Sequence, residues 1–514
     1  MAARDSLFIG GGGEGNAVAQ ELLLRFANRH GLIAGATGTG KTITMQIMAE
    51  GFSRAGVPVF LTDIKGDLGG MAVAGTPRDA FAARARTMGL EGVGYGAMPV
   101  TFWDLFGAHG HPVRATVAEM GPLLLSRILE LSDAQEGVIN AAFRLSDENG
   151  WPILDLKDLQ AMLVFLAENQ REMSRRYGNI TTASVGAIQR RLLVLENQGA
   201  ASFLGEPALD IHDLMQRTGD GQGRVNILHA ERLMQTPRLY ATFLLWLLSE
   251  LFEELPEVGD APLPRLVFFF DEAHLLFNGA PRALIEKVER VARLIRSKGV
   301  GVYFVTQNPD DVPDTILAQL GNRVQHALRA FTARDQQALR RAAQTYRANP
   351  RFSTEEAIRD VGVGEAVTSF LDARGAPGVV ERTLIRPPAS AMGPIEDALR
   401  ARIIAASPVA GKYEQAMDRD SAHEMLARRA EAAAREAGQA APETQAGDGY
   451  NQGRRYQPAK TRGGATARRQ APASRSSNRD TPVEAFAKSF ARQLGSRSGQ
   501  ALARGVLGTL FKGR

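Results

Sequence analysis

Apolar residues along this chain follow two rhythms. Short, mostly apolar runs occur at Leu32–Ala34, Val57–Thr62, Arg224–Leu228, Leu266–Phe270, Val300–Val305 and Val324–Leu328. Runs of this length, rich in β-branched and aromatic residues, predict buried strands. Between them apolar positions recur every three to four residues, which predicts helices at Lys41–Arg54, Pro122–Leu131 and Ile188–Glu196. Within Pro281–Ser297, Leu284, Val288, Val291 and Ile295 mark one buried stripe, with Glu286, Lys287, Glu289, Arg290 and Arg293 outside it. Apolar strands separated by helices predict an α/β fold with a mostly parallel sheet covered on both faces.

The same pattern divides the chain. Residues 1–30 read as a short leading segment, rich in Gly and then in Ala and Leu. Residues 1–107 hold the first βαβ unit, 108–215 read as a helical insertion, and strands return in 216–426. Residues 427–480 have hardly any large apolar side chain and are expected to be disordered, because burial there cannot offset the ordering entropy. Apolar spacing resumes in 481–514, at Val483, Phe486, Phe490, Leu494, Leu502, Val506, Leu510 and Phe511, and predicts a short amphipathic element. The apolar stretch Leu239–Phe252 is too short to span a bilayer and carries Glu250, so it reads as a buried helix. The N-terminus lacks the apolar run of a signal peptide.

Composition changes this picture in two ways. The chain of 514 residues has no cysteine, which removes disulfides, zinc–thiolate sites and thiol nucleophiles and fits a cytoplasmic location. The net charge of +5 is unevenly placed: residues 428–514 carry 17 Lys+Arg and 6 Asp+Glu, a net of +11, leaving −6 for the rest. Such a tail fits nucleic acid or an anionic membrane surface, and equally a solubilising extension.

Chemistry enters at Gly35–Thr42. The run Gly35, Ala36, Thr37, Gly38, Thr39, Gly40, Lys41, Thr42 satisfies G-x-x-x-x-G-K-[ST], with a predicted strand before it and a predicted helix after it. The glycines let the backbone wrap phosphate oxygens, and the loop N–H groups and helix N-terminus face them. Lys41 is placed for the β- and γ-phosphates of ATP, and Thr42 for a hydroxyl on Mg2+. At the end of Leu266–Phe270, Asp271 and Glu272 emerge together, Asp271 for the metal shell and Glu272 to polarise the attacking water. Gln307, at the end of the next strand, is a candidate sensor of the γ-phosphate; a strand-terminal turn before Pro309 is the plainer reading. Asp63 fits a water-orienting role, a DNA contact, or a simple turn or cap.

Six segments in order resemble the HerA/FtsK superfamily of P-loop ATPases, and most of all its HerA-like, helicase-like bacterial group: residues 28–42, 57–68, 111–129, 203–211, 267–277 and 295–313. The P-loop is generic; DEAHLLF and KGVGVYFVTQNP are more specific. The resemblance implies a RecA-like core, a ring expected as a hexamer, and DNA as the partner. It also implies arginines acting across subunits, for which Arg29 and Arg296 occupy the matching places; a surface or structural role fits either one alone. The P-loop begins at Gly35, which leaves no room for the N-terminal β-barrel of resection-type HerA proteins. The expectation is a Mg-dependent ATPase coupled to DNA translocation or helicase-like processing. A protein-remodelling or membrane-associated secretion-type motor, or a slow ATP-gated scaffold, would share the same core.

Overall fold

Successive side chains on the central strands leave the sheet on opposite faces, and both faces are apolar. Leu32, Phe60, Phe268, Phe270 and Phe304 enter one core; Ile33, Leu61, Val267, Phe269 and Tyr303 enter the other. The computed structural model describes residues 5–259, 261–277 and 282–439, with only the backbone at 282–284, 287 and 437–439.

Among these residues one sheet contains 12 strands. They are β1 (Ser6–Gly12), β2 (Val18–Leu23), β3 (Gly31–Ala34), β4 (Val59–Asp63), β5 (Val100–Asp104), β6 (His111–Pro112), β7 (Val225–His229), β8 (Leu266–Phe270), β9 (Val300–Thr306), β10 (Asn322–Gln325), β11 (Glu365–Ser369) and β12 (Glu381–Ile385). Their order is β2-β1-β12-β11-β10-β3-β9-β8-β4-β7-β5-β6. From β10 to β6 every neighbouring pair is parallel; from β10 through β11, β12 and β1 to β2 every pair is antiparallel. The predicted α/β class and mostly parallel sheet are therefore present, with an antiparallel wing.

That wing corrects two expectations. Residues 6–23 are not merely a leading segment: β1 and β2 form a hairpin that pairs with β12. Their glycines hid the strand signal, but at Gly10 a side chain would meet the Leu384 carbonyl at 2.1 Å, so the close pairing requires glycine there. The run predicted as Val324–Leu328 is shifted: β10 ends at Gln325, and His326 to Leu328 leave the sheet.

The helices of the 108–215 insertion cover one face, together with the buried helix Pro237–Glu254 and the helix Arg282–Ile295. On the last of these Val288, Val291 and Ile295 are buried as the spacing predicts, while the side chain of Leu284 lies outside the described residues. A helix at Ala422–Gln439 corrects the start of the expected disordered stretch: it packs on the helix Leu156–Glu168, with Asp158 accepting hydrogen bonds from Ser421 and His423. That tertiary contact supplies the burial which composition alone does not. The amphipathic element at 481–514 and the rest of 440–514 lie outside the described residues. No described helix is long and apolar enough to cross a membrane.

Candidate active site

The P-loop, the acidic pair and Gln307 follow β3, β8 and β9, which are neighbours in the order β3-β9-β8. Their C-terminal ends form one crevice, the place where open parallel sheets bind ligands. The P-loop lies more than two hundred residues before the other two segments, and parallel pairing brings the three together.

The loop itself is built by backbone freedom and by a wall. Gly35, Gly38 and Gly40 have φ of 152°, 79° and 119°, values that side chains strain to adopt. At Gly35 an added Cβ would sit 2.5 Å from the Cβ of His326. The Ala36 N–H donates to the Ala327 carbonyl at 2.8 Å, and the Gly364 N–H donates to the Thr39 carbonyl at 3.1 Å. Thr39 turns its hydroxyl back onto the Ala36 carbonyl, while Thr37 and Gly38 stand exposed at the tip. Thr42 is partly exposed in the first turn of the helix Lys41–Arg54.

Lys41 is buried, and its Nζ donates to the carbonyls of Gly35 and Ala36 at 2.6 and 3.1 Å. Burial lowers its pKa, with Lys65 adding to that effect while Glu272 and Asp271 oppose it. A lysine folded onto its own loop carbonyls has donors ready to be exchanged for phosphate oxygens.

Asp271 and Glu272 are both buried. The Asp271 N–H donates to the Thr62 hydroxyl at 2.9 Å, which ties the end of β8 to β4. Its carboxylate accepts the Glu272 N–H at 2.9 Å. Burial, and then the neighbouring Glu272 carboxylate, push Asp271 up to about 7 against the opposing Lys65. A divalent cation would restore the charged form, so the donor set fits Mg2+. Among the described residues no three acidic, His or Cys groups gather as a metal cage.

Glu272 has φ of 47°, a rare conformation for a residue other than glycine. One of its oxygens pairs with Lys65 Nζ at 3.1 Å. The other accepts a long hydrogen bond from Gln307 Nε2 at 3.4 Å and lies 3.4 Å from His274 Nδ1. Gln307 thus touches the acidic pair from the adjacent strand end. Asp63, by contrast, accepts the N–H groups of Asp67 and Leu68, each at 3.1 Å, which is the turn role. Burial pushes it up to about 6 despite those bonds.

Arg29 and Arg296 do not join this crevice. Both precede their strands, β3 and β9, and so lie at the opposite end of the sheet. Arg29 stacks on Phe26, 4.5 Å from the ring centroid, and donates to the Gly375 carbonyl. The carbonyl of Arg296 accepts from Asn28 at 3.3 Å.

Sequence reasoning missed three supports. Lys65 carries one weak signal, a lysine two residues past the end of β4. His326 and Thr44 carry no such signal, because their meeting depends on β10 lying beside β3.

The chain's course resembles that of several solved structures. The bacterial conjugative coupling protein TrwBdeltaN70 aligns at 12% identity, over 76% of this chain and 92% of that one, with a TM-score of 0.49. VirB4 of Thermoanaerobacter pseudethanolicus aligns at 14% identity over 74% and 96%, with a TM-score of 0.47. The plasmid coupling protein TrwB in complex with ADP and Mg2+ aligns at 14% over 71% and 89%, with a TM-score of 0.45. Likeness at this level is one of chain course and carries nothing about substrate. No curated protein matches the sequence. The family match is of another order, since it runs over residues 13–514. With a complete phosphate loop and acidic pair meeting in one crevice, this chain belongs to the helicase HerA-like C-terminal family, as an ATP hydrolase.

Proposed function

We propose that this ATPase assembles as a ring, a hexamer by the family resemblance, and couples hydrolysis to DNA translocation. The observation that carries the ring reading is the position of Arg29 and Arg296. They precede β3 and β9, strands of 4 and 7 residues, about 13 and 23 Å long at roughly 3.3 Å per residue, and so stand at the far end of the sheet from the P-loop. If either guanidinium acts on a transferring phosphoryl group, it does so on another subunit, where it stabilises charge without needing a proton.

In this reading Lys41 and the loop N–H groups hold the phosphates, Thr42 and Asp271 hold Mg2+, and Glu272 polarises the attacking water. Gln307 reports the γ-phosphate to Glu272 through their shared contact. Bound Mg2+ neutralises phosphate charge. The basic balance of residues 428–514, a net of +11, supports DNA as the partner.

ATPase rates with and without single- and double-stranded DNA, beside a mass measurement of the assembly, test this. DNA-stimulated turnover in a multimer is expected. A monomer whose turnover ignores DNA would exclude the translocase reading and favour a protein-remodelling or secretion-type motor.

A further inference from the structure

Glu272 is held on both oxygens. Lys65 Nζ sits 3.1 Å from Oε1, while Gln307 Nε2 and His274 Nδ1 each lie 3.4 Å from Oε2. A general base needs a lone pair directed at its water, and these three contacts together take up most of the roughly four lone-pair sites of the carboxylate and fix its orientation. The backbone agrees, because φ of 47° at a glutamate persists only where the surroundings hold it.

The two partners of the ion pair differ in freedom. The Glu272 side chain is 5% exposed, whereas that of Lys65 is 42% exposed. Lys65 can swing into solvent at little cost, while Glu272 has nowhere else to go. Its loop, however, is fixed: the Asp63 carboxylate accepts the N–H groups of Asp67 and Leu68, and Gly66 turns with φ of 70°. Asp63 therefore sets the lysine at the rim of the crevice. Burial alone would lower the Lys65 pKa, but Asp271 and Glu272 outweigh it and leave it raised, so the ammonium stays charged. The group that competes best with a carboxylate for such a cation is a phosphate oxyanion.

We propose that Lys65 is a positioning residue that holds Glu272 in a resting geometry and releases it when a phosphate oxyanion takes its ammonium. This rests on the reading of Glu272 as the base. The oxyanion has two sources, the nucleotide or a DNA backbone, and the experiment separates them.

The test compares the intact chain with Lys65→Met, Lys65→Gln, Lys65→Arg and Glu272→Gln, with thermal melting of each to establish that it is folded. Without DNA, Lys65→Met and Lys65→Gln are expected to raise kcat about twofold to fivefold, the scale of a half-exposed ion pair, with KM for ATP unchanged. Lys65→Arg, which keeps the cation, should restore the resting rate. If duplex DNA stimulates the intact chain but no longer stimulates the Met variant, the oxyanion is the DNA backbone. If the Met variant is faster and DNA stimulates neither chain, or both alike, it is the nucleotide's phosphate, which frees Glu272 for only part of each ATP-bound interval. A Met and a Gln variant both at or below the rate of the intact chain would overturn the proposal. Glu272→Gln is the separate control: normal turnover in that variant would overturn the reading of the base itself.

Discussion

His326 Nε2 lies 2.8 Å from the Thr44 hydroxyl, under the turn by which the P-loop enters its helix. Its Nδ1 lies 2.8 Å from the Glu365 carbonyl, so the ring ties β10, the helix and β11 together. Burial pushes this histidine down to about 4, with Lys41 adding to the effect and the Glu365 carbonyl opposing it. Above the unfolded value of about 6.5 both states are neutral. Between there and about 4 the unfolded chain binds a proton that the folded chain refuses, so stability falls as pH drops through that window. His326→Ala should cost about 2–4 kcal/mol at pH near 7.5, from lost packing and a buried hydroxyl left unpaired. The gap to the intact protein should narrow near pH 5. Denaturant titrations at the two pH values check both signs.

Gly35 and Gly38 should differ in what they tolerate. Alanine at Gly35 drives a methyl to 2.5 Å from His326, whereas at Gly38 no atom lies within 4 Å and only the backbone is strained. Gly35→Ala should therefore cost about 2 kcal/mol or more, and Gly38→Ala about 1 kcal/mol. Melting temperatures of the two variants measure the order.

Asp271 and Glu272 should separate metal from chemistry. Glu272→Gln keeps the shape and loses the base, so it should bind Mg·ATP and turn over about a hundredfold or more slower. Asp271→Asn should raise the Mg2+ concentration needed for half-maximal rate. Nucleotide-binding titrations beside Mg2+-dependent kinetics distinguish them; weak ATP binding with normal turnover per bound nucleotide in Glu272→Gln would reverse the assignment.

Lys41→Ala removes the loop's only positive side chain and should abolish hydrolysis. If Arg29 acts across a subunit boundary, mixing Arg29→Ala with Lys41→Ala subunits should recover part of the rate, since some interfaces then pair an intact loop with an intact arginine. The same holds for Arg296→Ala. No recovery between subunits shown to exchange would count against the shared site.

The tail should act on DNA through charge. Residues 440–514 carry 14 Lys+Arg and 4 Asp+Glu. A deletion beginning after Gln439 spares the helix that packs on Leu156–Glu168. It should weaken DNA binding at low salt and flatten a log–log salt slope of about −0.9 per phosphate neutralised, leaving basal turnover nearly unchanged. Binding isotherms at two salt concentrations read the slope. An unchanged slope with a dissociated assembly would make the tail an assembly element instead.

Much of the site was legible because its chemistry is local. The P-loop needs glycines, a lysine and a threonine at fixed spacing on one strand–turn–helix, and the acidic pair needs only a buried strand before it. The antiparallel wing was not legible. Strand β1 ends in Gly10–Gly12, residues that weaken any strand signal and whose value lies in the closeness of β12. The helix Ala422–Gln439 was obscured for a related reason: its partner is far away in sequence, and composition sees no partner.

The sequence by itself determined the nucleotide chemistry, since backbone freedom and side-chain spacing within a few residues suffice to hold a phosphate. It also determined the parallel core, whose apolar runs can be buried only between two layers of helix. Tertiary structure alone decided which groups restrain that chemistry. Lys65, Gln307 and His274 meet on Glu272 because three strand ends and the start of one short helix converge there. Arg29 and Arg296 are kept away because they precede strands whose far ends carry the site. Contacts of this kind depend on strand order, and strand order is set by the packing of the whole sheet, which no local pattern encodes.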